Sequence, residues 1–251
     1  MTQSIIWLSE TDPFPAVENA GREDDPYPGL LAAGGKLDAE SLESAYSHGI
    51  FPWFSADQPI LWWSPDPRMV LQVRNFRLHD SLRKTIKKFR KNPQCEVRID
   101  SAFEQVIRNC SLTPRPGQDG TWIVESIIQA YTELHKRGKA HSVETWVDGQ
   151  LVGGLYCVSL GRAVFGESMF AHATDASKIA LAALVGLCRT QGAPQIDCQQ
   201  ATRHLASLGA KEMQRKDFLL EVEKQLPHTD MDWRFDSVYW DAILASPSDA
   251  A

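Results

Sequence analysis

Asp148-Gly149 separates two extended runs, Ser142–Val147 and Leu151–Ser159, and no other feature of the sequence constrains the fold as strongly. A tight two-residue hairpin needs positive φ at both central positions, which Asp tolerates and Gly adopts freely. The two runs therefore read as neighbouring antiparallel strands. A third strand over 163–166 follows, and Asp175 stands where it can cap the longest helix, which ends near Gly192. A short strand at 195–198, a helix to Leu208, a strand near 211–214 and a helix near 217–226 continue the pattern. Meander strands followed by helix–strand alternation predict an α+β fold with some parallel pairing, compatible with an N-acetyltransferase-like (GNAT-type) mixed-sheet domain.

The stretch before the hairpin carries weaker signals. Residues 1–36 are rich in Pro, Gly and acids and read as mostly irregular. Asp38 can cap a short helix through His48, stopped by Gly49. Residues 59–73 read as extended segments broken at Ser64-Pro65-Asp66-Pro67. Residues 80–92 are helical, with Leu82, Ile86 and Phe89 on one face. A strand at 96–100 precedes a helix that Ser101 can cap and that runs to Cys110. A loop over 111–120 with Pro114, Pro116 and Gly117 leads to a helix over 124–137, ended by Gly138. We expect a small N-terminal domain over residues 1–70 and the catalytic mixed-sheet domain over 71–251.

Charge is unevenly spread. Residues 74–98 hold nine Lys/Arg against Asp80 and Glu96, so the segment carries +7 and leaves −13 on the rest of a chain whose net charge is −6. Such an island suits an anionic polymer, with a cationic partner elsewhere, or is simply a solvated helix face. The apolar run from Ile179 to Cys188 falls far short of a membrane span, and the N-terminus lacks the pattern of a secretory signal. A cytoplasmic location without membrane attachment is expected. The five cysteines form no CxxC pair, the seven histidines form no HExxH, and we expect no metal and no bound cofactor.

The chemistry-bearing motifs are short. Gly166-Glu167-Ser168-Met169-Phe170 lacks the second glycine of a nucleophile elbow, and there is no P-loop or GxGxxG. Arg189–Pro194 closes a helix rather than opening one, which argues against a CoA pyrophosphate loop. Phe51-Pro52-Trp53-Phe54 with Trp62-Trp63 reads either as core or as aromatics placed to stack on a base. Asp197 and Gln199 end a short strand two residues apart, hence on one face. They read either as a substrate-binding pair or as a capping Asp after a buried strand.

Several strings occur in order: Gly29–Leu37, Gly49–Phe54, Leu61–Arg68, Gly120–Ile123, His141-Ser142, Val152–Gly154, Phe165–Phe170, Ala176–Lys178, Ile196–Gln199 and Leu205–Ala210. Together they resemble the bacterial leucyl/phenylalanyl-tRNA–protein transferases. The resemblance implies transfer of leucine, phenylalanine and, less readily, methionine from the 3′ end of aminoacyl-tRNA to proteins that begin with arginine or lysine, marking them for N-end rule degradation without CoA. It places the catalytic acid and amide on Asp197 and Gln199 and a third polar residue on Glu167. Site tryptophans fall on Trp53 and Trp122. The aminoacyl pocket falls on Leu155, Met169, Leu184 and Ile196. The tRNA-binding helix, facing the acceptor region, carries Arg83, Lys84, Lys87 and Lys88. Gln200 stands where the family usually has an apolar residue, and Leu155 where some relatives have Met.

The implied reaction needs no covalent nucleophile. The donor is an activated ester and the attacker an α-amine with pKa near 8, so positioning and a proton acceptor suffice. In the implied roles, Asp197 polarises the Gln199 amide and the Gln199 oxygen orients the amine. The tRNA 2′-hydroxyl is an alternative proton acceptor. A CoA-dependent N-acetyltransferase and a non-catalytic RNA-binding module are the competing readings. The first would need a pyrophosphate loop, the second only the basic island.

Overall fold

Two sheets share one apolar interior in the computed structural model, which describes residues 5–113 and 121–245. The expected loop residues Pro114, Pro116 and Gly117, and Gly120 of the resemblance, lie outside the described residues. The strands are β1 (Ile6–Leu8), β2 (Leu30–Gly34), β3 (Phe51–Pro52), β4 (Leu61–Trp63), β5 (Arg68–Gln72), β6 (Cys95–Ile99), β7 (Ala140–Val147), β8 (Gln150–Leu160), β9 (Ala163–Ala171), β10 (Gln195–Gln199) and β11 (Lys211–Met213). The helices are α1 (Ala39–Ser47), α2 (Asp80–Phe89), α3 (Phe103–Ser111), α4 (Glu125–Lys136), α5 (Ala176–Gln191), α6 (Arg203–Ser207), α7 (Arg215–Gln225) and α8 (Val238–Leu244).

The small sheet has the order β1-β2-β4-β3 and the large one β11-β5-β10-β9-β8-β7-β6. From β6 to β9 neighbours are antiparallel, β9 and β10 are parallel with α5 as the crossover, and β10 and β11 both run antiparallel to β5. This is the mixed α+β sheet, meander then parallel pair, expected of an N-acetyltransferase-like domain. Asp148 and Gly149 both have positive φ at the β7–β8 turn. Among the described residues no helix is long and apolar enough to cross a membrane. All five cysteines are free, three of them buried.

Several local expectations hold. The Asp38 carboxylate accepts from the Ser41 amide at 2.8 Å, and Gly49 ends α1 in the left-handed region. Leu82, Ile86 and Phe89 form the buried face of α2.

Others are corrected. The N-terminal stretch is mostly irregular as read, but it also holds β2, a buried strand paired with β1 on one side and β4 on the other. The strand at 163–166 continues to Ala171. Beyond the elements read from the sequence, the C-terminal tail forms α8, whose Tyr239, Trp240 and Ile243 are buried, and which packs on α5. Asp175 precedes α5 but makes no side-chain cap. Its φ of 62° turns the carboxylate outward, where it binds Lys178 at 2.8 Å and accepts from Thr85 at 3.4 Å.

Ser101 does not cap α3 either. The cap is Glu144, a fully buried carboxylate on β7 that accepts from the Ala102 amide at 2.8 Å. The same carboxylate takes the hydroxyls of Ser101 and Ser142 and the Trp146 indole N–H. Each buried donor left without an acceptor costs about 1–3 kcal/mol. Glu144→Ala should therefore lower the urea-measured unfolding free energy by at least about 3 kcal/mol, against roughly 1 kcal/mol for Ser101→Ala. Equal losses would return the cap to Ser101.

Candidate active site

Two irregularities in the strand ladders build the site. Between β8 and β9 the register slips: Cys157 faces Gly166 but Tyr156 faces Ser168, which leaves Glu167 as the extra residue of a bulge. In β10, Asp197 faces Val70 and Gln199 faces Met69 of β5, so Cys198 is the extra residue and Gln199 takes a φ of 55°. Because β9 and β10 are adjacent, both bulges fall on the same stretch of sheet.

Glu167 is the hub. The Tyr46 hydroxyl of α1 donates to one of its oxygens at 2.5 Å and the Tyr131 hydroxyl of α4 to the other at 3.3 Å, with 2.5 Å between the two hydroxyls. The Gln199 side-chain amide donates to Glu167 at 3.1 Å. Burial first, and then the charge of Asp197, hold the Glu167 carboxyl up at about 8. The tyrosine hydrogen bonds and the charge of Arg68 pull the other way. Both tyrosines are raised well above the ordinary phenol range, first by burial and then by Glu167, so they stay neutral donors.

Asp197 is only 1% exposed and is clamped by Arg68, with Nε to Oδ1 at 2.9 Å and the second guanidinium nitrogen to Oδ2 at 2.7 Å. Arg68 is itself fully buried between the rings of Phe51 and Phe218, with centroids 4.8 and 4.6 Å away. Its remaining arm donates to the Gly49 carbonyl at 3.0 Å. At Gly49 a Cβ would come within 2.4 Å of the Leu219 side chain, so a glycine is needed where α1 turns back toward Arg68. Beside these polar groups lies a cavity of about 230 Å³ whose apolar lining includes Leu155, Met169, Leu181, Leu184 and Ile196. Glu167, Asp197 and Gln199 line the same cavity. Among the described residues no group of three or more His, Cys, Asp or Glu is placed to hold a metal ion.

The model of the leucyl/phenylalanyl-tRNA protein transferase family matches residues 70–223, and that of its N-terminal domain matches residues 35–66. This chain belongs to that family. A leucyl/phenylalanyl-tRNA–protein transferase from Polaromonas sp. strain JS666 is 59% identical over 98% of this chain and 96% of its own. A relative of the same name from Albidiferax ferrireducens is 59% identical over 97% and 96%. Among solved structures, a GCN5-related N-acetyltransferase from Kribbella flavida aligns over 68% of this chain and 59% of its own at 8% identity. Its TM-score is 0.31, a likeness too slight to carry an argument.

The structure brings together Glu167, Asp197, Gln199 and the four residues read as the aminoacyl pocket, Leu155, Met169, Leu184 and Ile196. Trp53 and Trp122 line a different cavity of about 580 Å³, with Trp63 and Trp7. Asp197 meets Gln199 at its backbone N–H, 2.9 Å away, whereas the side-chain amide goes to Glu167. On α2, Lys84, Lys87 and Lys88 are exposed, but Arg83 is half-buried and donates to the Leu244 carbonyl at the end of α8, at 2.7 Å.

Arg68, Tyr46 and Tyr131 were not singled out from the sequence. A charged residue opening the apolar strand Met69–Leu71 was the available signal for Arg68. The tyrosines gave none, since each sits on the buried face of its helix like any core residue. Removing one member of a buried ion pair leaves an unpaired charge in the interior, at about 3–5 kcal/mol. Arg68→Met should lower stability in urea by that amount, and adding Asp197→Leu should restore most of it. A single variant as stable as the wild type would show that the pair does not organise the site.

Proposed function

We propose that this chain moves leucine or phenylalanine, and less readily methionine, from aminoacyl-tRNA to proteins with N-terminal arginine or lysine, marking them in the cytoplasm for N-end rule degradation. The observation that carries the reading is the apolar cavity bounded by the linked side chains of Gln199 and Glu167. Leu155, Met169, Leu184 and Ile196 offer an aminoacyl side chain shape but no hydrogen bond. Trp53 and Trp122, in the separate aromatic cavity, would stack on the terminal adenine. The exposed ammonium groups of Lys84, Lys87 and Lys88, with Arg83 beside them, would hold phosphates of the acceptor region.

The neutral α-amine attacks the ester carbonyl. A C–N bond forms, the C–O bond to the terminal ribose breaks, and one proton must travel from the amine to the departing oxygen. Gln199 gives its N–H to Glu167, which leaves its oxygen to accept from the amine. An amide cannot hold the proton, so Glu167 takes it and returns it to the ribose oxygen. A carboxyl near 8 matches an amine near 8, so the transfer is close to balanced. Asp197, held by Arg68, serves to fix the Gln199 backbone rather than to accept a proton.

Incubating the protein with radiolabelled Leu-tRNA and a polypeptide beginning with arginine tests the reading. Label should appear in the polypeptide, and much less when it begins with glycine. No transfer to either would overturn it. With Ile-tRNA at matched concentration the rate should fall about 10–100-fold, because selection rests on shape alone.

The pH dependence follows from both ionisations. The reactive state needs a neutral amine and an ionised Glu167, so log kcat/KM should rise with a slope approaching about 2 below pH 7 and level off above roughly pH 8. Glu167→Gln should leave a slope near 1. An unchanged profile would move the proton to the tRNA 2′-hydroxyl.

A further inference from the structure

The basic helix and the aminoacyl pocket belong to different elements, and a polynucleotide that touches both must cross the ground between them. Lys178 lies on α5 one turn before Leu181 and two before Leu184, and both leucines line the cavity. The i, i+3 spacing puts its stem on the cavity side of the helix, at the rim. On its other side, α5 packs against α2, and Asp175 links the two helices by binding Lys178 at 2.8 Å while accepting from Thr85 of α2. His204, which also lines the cavity, has its imidazole lowered by partial burial and by the charge of Lys178, consistent with that ammonium lying close to the mouth.

The Lys178 side chain is 41% exposed. An ammonium has three donors, and Asp175 takes one, which leaves two for a partner in solvent. A pair this exposed is worth about 0–1 kcal/mol, so Asp175 orients the lysine without removing it from use. We infer that Lys178 binds a backbone phosphate close to the aminoacylated 3′ terminus, as the last member of a basic track that runs from Lys84, Lys87 and Lys88 to the cavity. This rests on the reading of aminoacyl-tRNA as the donor. The contact would act on binding and placement of the 3′ end, not on the chemical step, so Lys178 is a positioning residue.

Lys178→Ala, Lys178→Arg and Asp175→Asn in the full-length chain separate the outcomes, with Lys224→Ala on distant α7 as a control for net charge. Loss of one phosphate contact should reduce the slope of log K against log salt for aminoacyl-tRNA binding by about 0.7–0.9. At low salt Lys178→Ala should raise KM for aminoacyl-tRNA about tenfold with kcat little changed. Lys178→Arg should restore both, and Lys224→Ala should change neither. Asp175→Asn breaks the ion pair but keeps the lysine, so its slope should stay at the wild-type value. A Lys178→Ala slope equal to the wild type, a fall in kcat without a change in KM, or the same defect in Asp175→Asn would overturn the assignment. A wild type that neither binds nor uses aminoacyl-tRNA would overturn the functional reading instead, and this contact with it.

Discussion

The Arg68–Asp197 ion pair is the interaction on which the remaining architecture turns. Two unit charges sit where water does not reach, and their geometry supplies the compensation: two hydrogen bonds between them, two aromatic faces against the guanidinium, and one carbonyl for its spare arm. Those partners come from β3, β5, β10, α7 and the end of α1. Satisfying one arginine therefore fixes the small sheet against the large one. It also fixes the Gln199 backbone, since the same Asp197 carboxylate accepts the Gln199 amide.

A second polar cluster depends on that first one. Glu167 lies close enough to Asp197 for the negative charge to raise its carboxyl, while Arg68 offsets part of the effect. Arg68 takes up the Asp197 carboxylate, while the Glu167 carboxyl, raised to about 8 chiefly by burial, meets only neutral donors, the two tyrosines and the Gln199 amide. The two acids differ in surroundings because the arginine holds only one of them.

What could be read from the sequence and what could not divides by distance along the chain. The hairpin at Asp148-Gly149, the Asp38 cap and the apolar stripe of α2 each rest on residues within seven positions of one another, and local pattern exposed them. Glu144 caps α3 from 42 residues away, and Tyr46 meets Tyr131 across 85. No periodicity reports such pairs. The bulges that aim Glu167 and Gln199 are likewise invisible, because a bulge is a property of two strands and the sequence shows one at a time. The cavity lining was reached through resemblance, not through physics: Leu155, Leu184 and Ile196 look like any buried aliphatic residue, and only the polar groups beside them mark the cavity.

The same dependence changes how loss of Asp197 should be understood. On the sequence alone, Asp197 and Gln199 look like equal members of a catalytic pair, separable by kinetics. In the structure they are unequal. Truncating Gln199 removes a side chain whose hydrogen bond is to Glu167, and leaves the buried charges matched. Truncating Asp197 strands a buried guanidinium, loosens the contact between the two sheets and frees the backbone of Gln199 in one step. A large fall in turnover after the second change would report lost architecture as much as lost chemistry. Under the proposed mechanism the change that probes the proton transfer most directly is Glu167→Gln, which keeps the shape and one acceptor oxygen while removing the ionisation and turning the other oxygen into a donor.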